Sequence, residues 1–238
     1  TPIKKWTLEN NVYLLEENNL SNLDFINQIK SEKPDLIIVI AFKLLPLDIF
    51  TIPQFGTMNL HASLLPNYRG AAPIQRAILN GEDKTGVTTF LINEKIDTGK
   101  IVLQKEIAIK DIDDSGSLHS KLSKIGSELV MESIDYINDK MELTDQKLEG
   151  TYAKKIKKSE LQINWNNRSS NIFNMIRAFS PYPGSFSYIN NKRIKILSCK
   201  KVKTFNKTLD SGNLFINNKN IYVGTSTKPL ELIEVQVE

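Results

Sequence analysis

Three residues in the stretch from Asn59 to Asp97 have side chains suited to one kind of chemistry: Asn59, His61 and Asp97. An imidazole changes protonation near neutral pH, so His61 can take or return a proton. Asn59 stands two positions earlier, and alternate side chains of an extended segment share a face. Its amide NH2 can therefore donate to an oxygen that becomes anionic beside the imidazole. Asp97 could orient the ring, raise its basicity or hold a water. An amide donor, an imidazole and a carboxylate together suit attack on a carbonyl carbon. No protein nucleophile accompanies them: Cys199 is remote, and Ser63 lacks the G-x-S-x-G turn that exposes a catalytic serine. The attacking group is expected on a substrate. Each residue also has a plainer reading, the His as a packed side chain, the Asn and the Asp-Thr-Gly run as turn chemistry, and spacing alone leaves the function open.

The elements that must position these groups are legible from periodicity. Leu36 to Ala41 is a continuous apolar, β-branched run, as for a strand covered on both faces, with Phe42 to Pro46 at its C-terminal end. Thr57 to Leu60 and Val87 to Ile92 read as further strands. His61 and Asp97 then follow strand C-termini, the edge at which open α/β sheets bind ligands. Pro73 in a first helical turn and Gly81 after the last predict a short helix with Ile74, Ala77 and Ile78 inward. Ile101, Leu103, Ile107 and Ile109 alternate as a half-buried strand or hairpin. Asp114 or Ser115 opens a long helix with Leu118, Leu122, Ile125 and Leu129 on one stripe, running on through Ile134 and Ile137. His119 falls within it and reads as structural or exposed. Earlier, Val12 to Leu15 reads as a short strand. Ser21 to Asp24 caps a helix striped by Leu23, Ile26 and Ile29, which Pro34 ends.

Asp139 to Gly150 is polar and aperiodic, so residues 141–158 are expected to link a domain of residues 1–140 to one of residues 159–238. Lys154, Lys155, Lys157 and Lys158 form a basic cluster whose default reading is a solvated face. Ile172, Met175, Ile176 and Phe179 mark an amphipathic helix. Strands at 193–202, 214–216, 221–223 and 230–237, broken by Asn-rich turns, suit a small barrel.

The 238 residues can bury a substantial core, and a net charge of +4 permits an anionic partner without requiring one. One cysteine excludes an internal disulfide, no Cys/His spacing suits a metal, and no metal is expected. No apolar run approaches membrane-spanning length, so no membrane partner and a cytoplasmic or organelle-matrix location are expected.

The string as a whole is more specific than its parts. N-L-H at Asn59 to His61, S-L-L-P at Ser63 to Pro66, Y-R-G-A-A-P at Tyr68 to Pro73, G-V-T at Gly86 to Thr88 and D-T-G at Asp97 to Gly99 closely resemble the folate-dependent formyltransferases. A-F-K-L-L-P at Ala41 to Pro46 is similar to the family segment beside the folate pocket, and R-A-F-S-P-Y-P-G at Arg177 to Gly184 to the start of its C-terminal domain. The resemblance runs along nearly all the chain. It implies an α/β fold: a Rossmann-like formyltransferase domain, a partial parallel sheet with flanking helices, followed by a small OB-like β-barrel. It implies formyl transfer from 10-formyltetrahydrofolate to the α-amine of initiator methionyl-tRNA, without a metal, by a monomer. Asn59, His61 and Asp97 are the implied catalytic residues. Phe42, Leu44, Leu45, Ser63, Leu64, Leu65, Pro66 and Ile92 are the implied folate-binding residues. The flat pteridine would rest on the apolar side chains, its amide-like edge against the backbone of Ser63 to Pro66. Because the family's tRNA crosses between the domains, Arg69, Lys154, Lys155, Lys157 and Lys158 are candidates for its phosphates.

Thr1 to Lys4 resembles an internal family position, after a first β-α unit and a basic loop that helps to hold the tRNA acceptor end; the family's extreme C-terminus is also not represented. Glycinamide ribonucleotide formyltransferase shares the Asn, His and Asp arrangement but leaves the barrel-like tail unexplained. The nucleotide-sugar amine formyltransferases share more, and G-A-A-P-I-Q favours the tRNA acceptor. An inactive folate- or RNA-binding fragment would keep the pocket without turnover.

Overall fold

The computed structural model describes residues 2–40, 45–140 and 142–237. It divides into two compact units, Thr1–Met58 and Asn59–Glu238.

The first unit contains helix α1 (Pro2–Glu9), helix α2 (Leu23–Ser31), strand β1 (Ile37–Ile40), the one-turn helix α3 (Leu47–Phe50) and the opening residues of its neighbour in the sheet, strand β2 (Thr57–His61). Asn22 caps α2 by accepting the Asp24 N–H at 2.9 Å, as the capping pattern predicts. Of the expected stripe, Ile26 is buried and Leu23 exposed. Two expectations are corrected. Val12 to Leu15 is not a strand: among the described residues it pairs with no strand, and Val12 and Tyr13 face solvent. Nor is β1 covered on both faces: Ile38 and Ile40 are exposed, alternating with half-buried Ile37 and Val39. Phe42 and Leu44, like Ala41 and Lys43, lie outside the described residues.

In the second unit β2 continues through His61, followed in sheet order by β3 (Lys84–Leu91) and β4 (Ile101–Ala108). β3 and β4 pair antiparallel from Lys84↔Ala108 to Phe90↔Ile101, with an irregularity at Thr89/Phe90. The sheet is therefore not wholly parallel. A connection as short as residues 92–100 can return the chain only antiparallel, since a parallel neighbour needs a crossover. Helix α4 (Pro73–Leu79) starts on Pro73 and stops before Gly81, whose φ is +73°, and it buries Ile74, Ala77 and Ile78. Helix α5 (Ser115–Asp139) is capped by Asp114 and lies on β3 and β4 through Leu118, Leu122 and Leu129. His119 is on its exposed side.

Helix α6 (Ser169–Phe179) packs on α4 and on a second, antiparallel sheet whose strand order is β5 (Ser185–Ile189), β6 (Lys192–Lys201), β9 (Leu230–Val237), β8 (Asn220–Val223), β7 (Leu214–Asn217). Asn190 and Asn191, at φ +49° and +62°, make the two-residue turn between β5 and β6. β5 and β7 are opposite edges, so among the described residues the sheet is open, where the strand spacing predicts a barrel. Ile172, Phe173, Ile176, Ile196 and Leu230 form its core with Cys199, whose thiol is pushed up to about 12 by burial and is therefore inert. Among the described residues no helix is long and apolar enough to cross a membrane.

One buried charge makes the second unit sensitive to acid. Asp113, just before α5, is 2% exposed. Burial works to raise its carboxyl, yet the Lys121 ammonium, the Lys110 N–H and the Ser117 hydroxyl together hold it below the usual carboxylate range. A carboxyl lowered in the folded state contributes stability above its unfolded value, and that contribution is lost as pH falls through the folded value. Lys121→Met is expected to lower stability to urea at pH 7 by about 1–3 kcal/mol, with the difference from wild type shrinking below about pH 4. A difference that holds constant to pH 2.5 would remove this pair from the acid response.

Candidate active site

His61 is the last residue of β2, and Asn59 lies two residues earlier on the same face of that strand. Asp97 stands in the turn that joins β3 to β4. His61 is 7% exposed, and Asn59 is half-buried. The His61 Nε2 lies 2.8 Å from the carbonyl oxygen of Tyr68. A carbonyl only accepts, so in this arrangement Nε2 carries the hydrogen and Nδ1 of the neutral ring presents its lone pair. That Nδ1 is 3.7 Å from Oδ2 of Asp97, and the Asp97 side chain is 13% exposed. Two acceptor atoms thus face each other at 3.7 Å, close enough for a charge on one to be felt by the other but beyond hydrogen-bond distance.

Both residues that address the imidazole have left-handed backbone, Tyr68 at φ +59° and Asp97 at φ +53°. A non-glycine residue there carries strain of about 1–3 kcal/mol, held in place by its surroundings. The holding groups are visible. Tyr68 N–H donates to Thr151 Oγ1 at 2.9 Å, and its hydroxyl donates to Glu82 and accepts from Asn80. Burial and the Glu82 carboxylate push that phenol up to about 12, so it stays a donor. Gly70 N–H donates to Asp97 Oδ2 at 2.8 Å. A side chain at Gly70 would meet the Ala153 carbonyl at 2.9 Å, and its φ of +108° favours glycine.

The Ser63 to Pro66 loop is ordered by its own polar groups. Thr88 Oγ1 donates to Ser63 O at 2.6 Å and accepts the Leu65 N–H at 3.1 Å, while Gln104 Nε2 donates to Leu65 O at 2.8 Å. Ser63 Oγ donates to Asn67 O, and Asn67 N–H closes on Leu64 O. These backbone groups bond within the loop and to side chains of β3 and β4. What the loop offers a ligand is shape and apolar surface: Leu64 and Pro66 are half-buried, as is Ile92 just past β3, while Leu65 is buried. Leu45 is half-buried in the first unit.

Arg69 is turned inward. Its guanidinium donates to Asp97 O, to Gln146 Oε1 and to Lys147 O. Lys154, Lys155 and Lys157 line a cavity of about 450 Å³ together with Tyr68, Arg76 and Tyr152. Lys158 opens the neighbouring 3-10 turn and is exposed. Arg76 forks onto Glu160 and, with Lys157, holds that carboxylate below its usual range; the three lysines add positive charge to the cavity lining. The sequence gives no signal for Gln146 or for the Tyr68 carbonyl, which the structure brings to Asp97 and His61.

Comparison with known proteins places the chain in a family. Residues 2–134 match the family described as formyl transferase, and residues 155–238 match the formyl transferase C-terminal domain. The methionyl-tRNA formyltransferase of Thermodesulfovibrio yellowstonii is 42% identical over 99% of this chain and 76% of its own length. That of Flavobacterium johnsoniae is 38% identical over 99% and 76%. Among solved structures, the sugar 3N-formyl transferase WlaRD, determined with dTDP and 5-N-formyl-THF, superposes with a TM-score of 0.72 at 23% identity, covering 99% of this chain and 81% of that one. The last is a likeness of fold. With both domain families matched in order and relatives 38–42% identical over nearly the whole chain, the chain belongs to the formyltransferase family.

Proposed function

We propose that this protein transfers a formyl group from 10-formyltetrahydrofolate to the α-amine of initiator methionyl-tRNA, in the cytoplasm and without a metal. The observation that supports it is the His61–Asp97 pair, with Nε2–H fixed on Tyr68 O and Nδ1 left open toward the carboxylate. Relatives 38–42% identical over nearly the whole chain act on that acceptor by name, and the sugar enzyme is 23% identical. The amine nitrogen bonds to the formyl carbon while the carbonyl π electrons move onto oxygen. Asn59 donates to that oxygen. The His61–Asp97 pair accepts the amine proton, the carbon's bond to the donor nitrogen breaks, and that nitrogen regains a proton. The folate supplies an activated formyl carbon.

Leu45, Leu64, Pro66 and Ile92, with Phe42 and Leu44, are read as the apolar bed of the pterin, and Ser63 and Leu65 as residues that shape it. The chain is read as a formyltransferase domain over residues 1–140, a linker over 141–158 and an OB-like domain over 159–238, acting as a monomer. Lys154, Lys155 and Lys157 at the cavity, with Lys158, are read as phosphate contacts.

Asn59→Ala is expected to reduce single-turnover formyl transfer about 10²- to 10³-fold with donor affinity unchanged; an unchanged rate would remove Asn59 from the oxyanion. Replacing the four lysines by Ala should weaken tRNA binding and flatten the dependence of log affinity on log salt by roughly 0.7–0.9 per lost contact. An unchanged slope would take them out of the interface.

A further inference from the structure

We propose that Arg69 and Gln146 are positioning residues that hold Asp97 in its left-handed conformation against His61, so that a stretch read from sequence as a linker is part of the catalytic apparatus. The proposal rests on the functional reading above. Gln146 uses both ends of its amide. Nε2 donates to Asp97 O at 3.0 Å and to Gly99 O at 2.7 Å, on either side of Thr98. Oε1 accepts from Arg69 Nε at 3.1 Å and Nη2 at 2.7 Å. Arg69 Nε reaches Asp97 O as well, at 3.1 Å. The carbonyl of Asp97 is thus gripped by two side chains while its carboxylate takes the Gly70 N–H.

The surrounding backbone makes this grip rigid. Residues 144–153 contain no helix, and they are tied down at both ends and at Gln146. Ile101 and Thr144 exchange both backbone hydrogen bonds, at 2.8 and 2.9 Å, at the start of β4. A Cβ on Gly150 would stand 2.2 Å from Pro66 O, so the chain runs against the Ser63–Pro66 loop. Arg69 N–H donates to Thr151 O, Ala153 N–H to Arg69 O, and the Ala71 and Ala72 N–H groups to Ala153 O. One strap therefore fastens both turns that carry the site, the one through Tyr68 and the one through Asp97. Gln146 is the point at which the strap touches Asp97 itself.

Gln146→Glu is nearly isosteric and keeps an acceptor for Arg69, but it turns acceptors toward two carbonyl oxygens. Misplacing a catalytic group by about an ångström costs about 10²-fold in rate. Single-turnover formylation of methionyl-tRNA by Gln146→Glu is expected to fall 10- to 100-fold, with affinity for 5-formyltetrahydrofolate within twofold of wild type. Arg69→Lys, which keeps charge without the fork, should behave alike. The readout independent of activity is hydrogen exchange at the Gly70 amide: once Asp97 leaves, that N–H loses its acceptor and exchanges at least tenfold faster. Gln146→Met, uncharged and of similar length, decides the matter in the same measurements if the Glu variant fails to fold. Wild-type rate and wild-type Gly70 exchange in a folded variant would overturn the clamp. Faster Gly70 exchange in a protein whose wild type formylates no acceptor would uphold the clamp and refute the functional reading instead.

Discussion

Asp97→Asn is expected to abolish most turnover, about 10²- to 10⁴-fold in the single-turnover rate, while leaving folate affinity and thermal stability close to wild type. The reason is that one oxygen, Oδ2, serves both Gly70 N–H at 2.8 Å and His61 Nδ1 at 3.7 Å. If the Asn amide keeps its oxygen on Gly70, a neutral acceptor faces the His61 lone pair and the negative charge that would hold an imidazolium is gone. If the amide flips, its NH2 opposes the Gly70 N–H and occupies the very nitrogen that should take the proton. Both orientations keep the volume; the first removes the charge that stabilises the transferred proton, and the second blocks the nitrogen that takes it. Rates are read from rapid-quench formylation, and affinity from tetrahydrofolate fluorescence titration; wild-type turnover in this variant would remove the carboxylate from the mechanism.

The largest effect on folding is expected at Gly99. A Cβ there would stand 1.6 Å from the Leu91 carbonyl oxygen and 2.8 Å from its carbon, so backbone must move. The neighbouring Lys100 carbonyl receives the Leu91 N–H at 2.9 Å, the contact that closes the β3–β4 turn. Gly99→Ala therefore opens the turn that presents Asp97, and it should lower unfolding free energy by about 3 kcal/mol and activity with it. Urea denaturation monitored by circular dichroism measures the first, formylation the second. Wild-type stability would mean that the turn accepts a side chain, contrary to the close approach seen here.

The sequence made the side chains legible and left their partners hidden, for a physical reason. Asn59, His61 and Asp97 stand out because few side chains offer an amide donor, a near-neutral base and a carboxylate, and because the motifs around them resemble one family. The carbonyl that fixes the imidazole tautomer belongs to Tyr68, and a backbone carbonyl is the same group at every residue. Gln146 sits in a polar, aperiodic stretch whose composition says only that it lacks regular structure; that it is fastened at Thr144, Gln146, Thr151 and Ala153 follows from tertiary contacts. Helices were legible wherever a cap and a stripe coincide, as at Asn22, Pro73 and Asp114. Strands were less so. Val12 to Leu15 has the residues of a strand and no neighbour to pair with, and the pattern at Ile101 to Ile109 does not say which way the chain runs. Closure of the C-terminal strands depends on whether β5 and β7 meet, which spacing along the chain does not encode.

The most direct test of the functional reading is single-turnover formylation by the 238-residue chain, given 10-formyltetrahydrofolate with initiator methionyl-tRNA and an amino-sugar nucleotide as competing acceptors. Formyl transfer to the α-amine of the tRNA is the predicted result. Transfer to the sugar alone, or to neither acceptor by a folded chain that still binds folate, would contradict it.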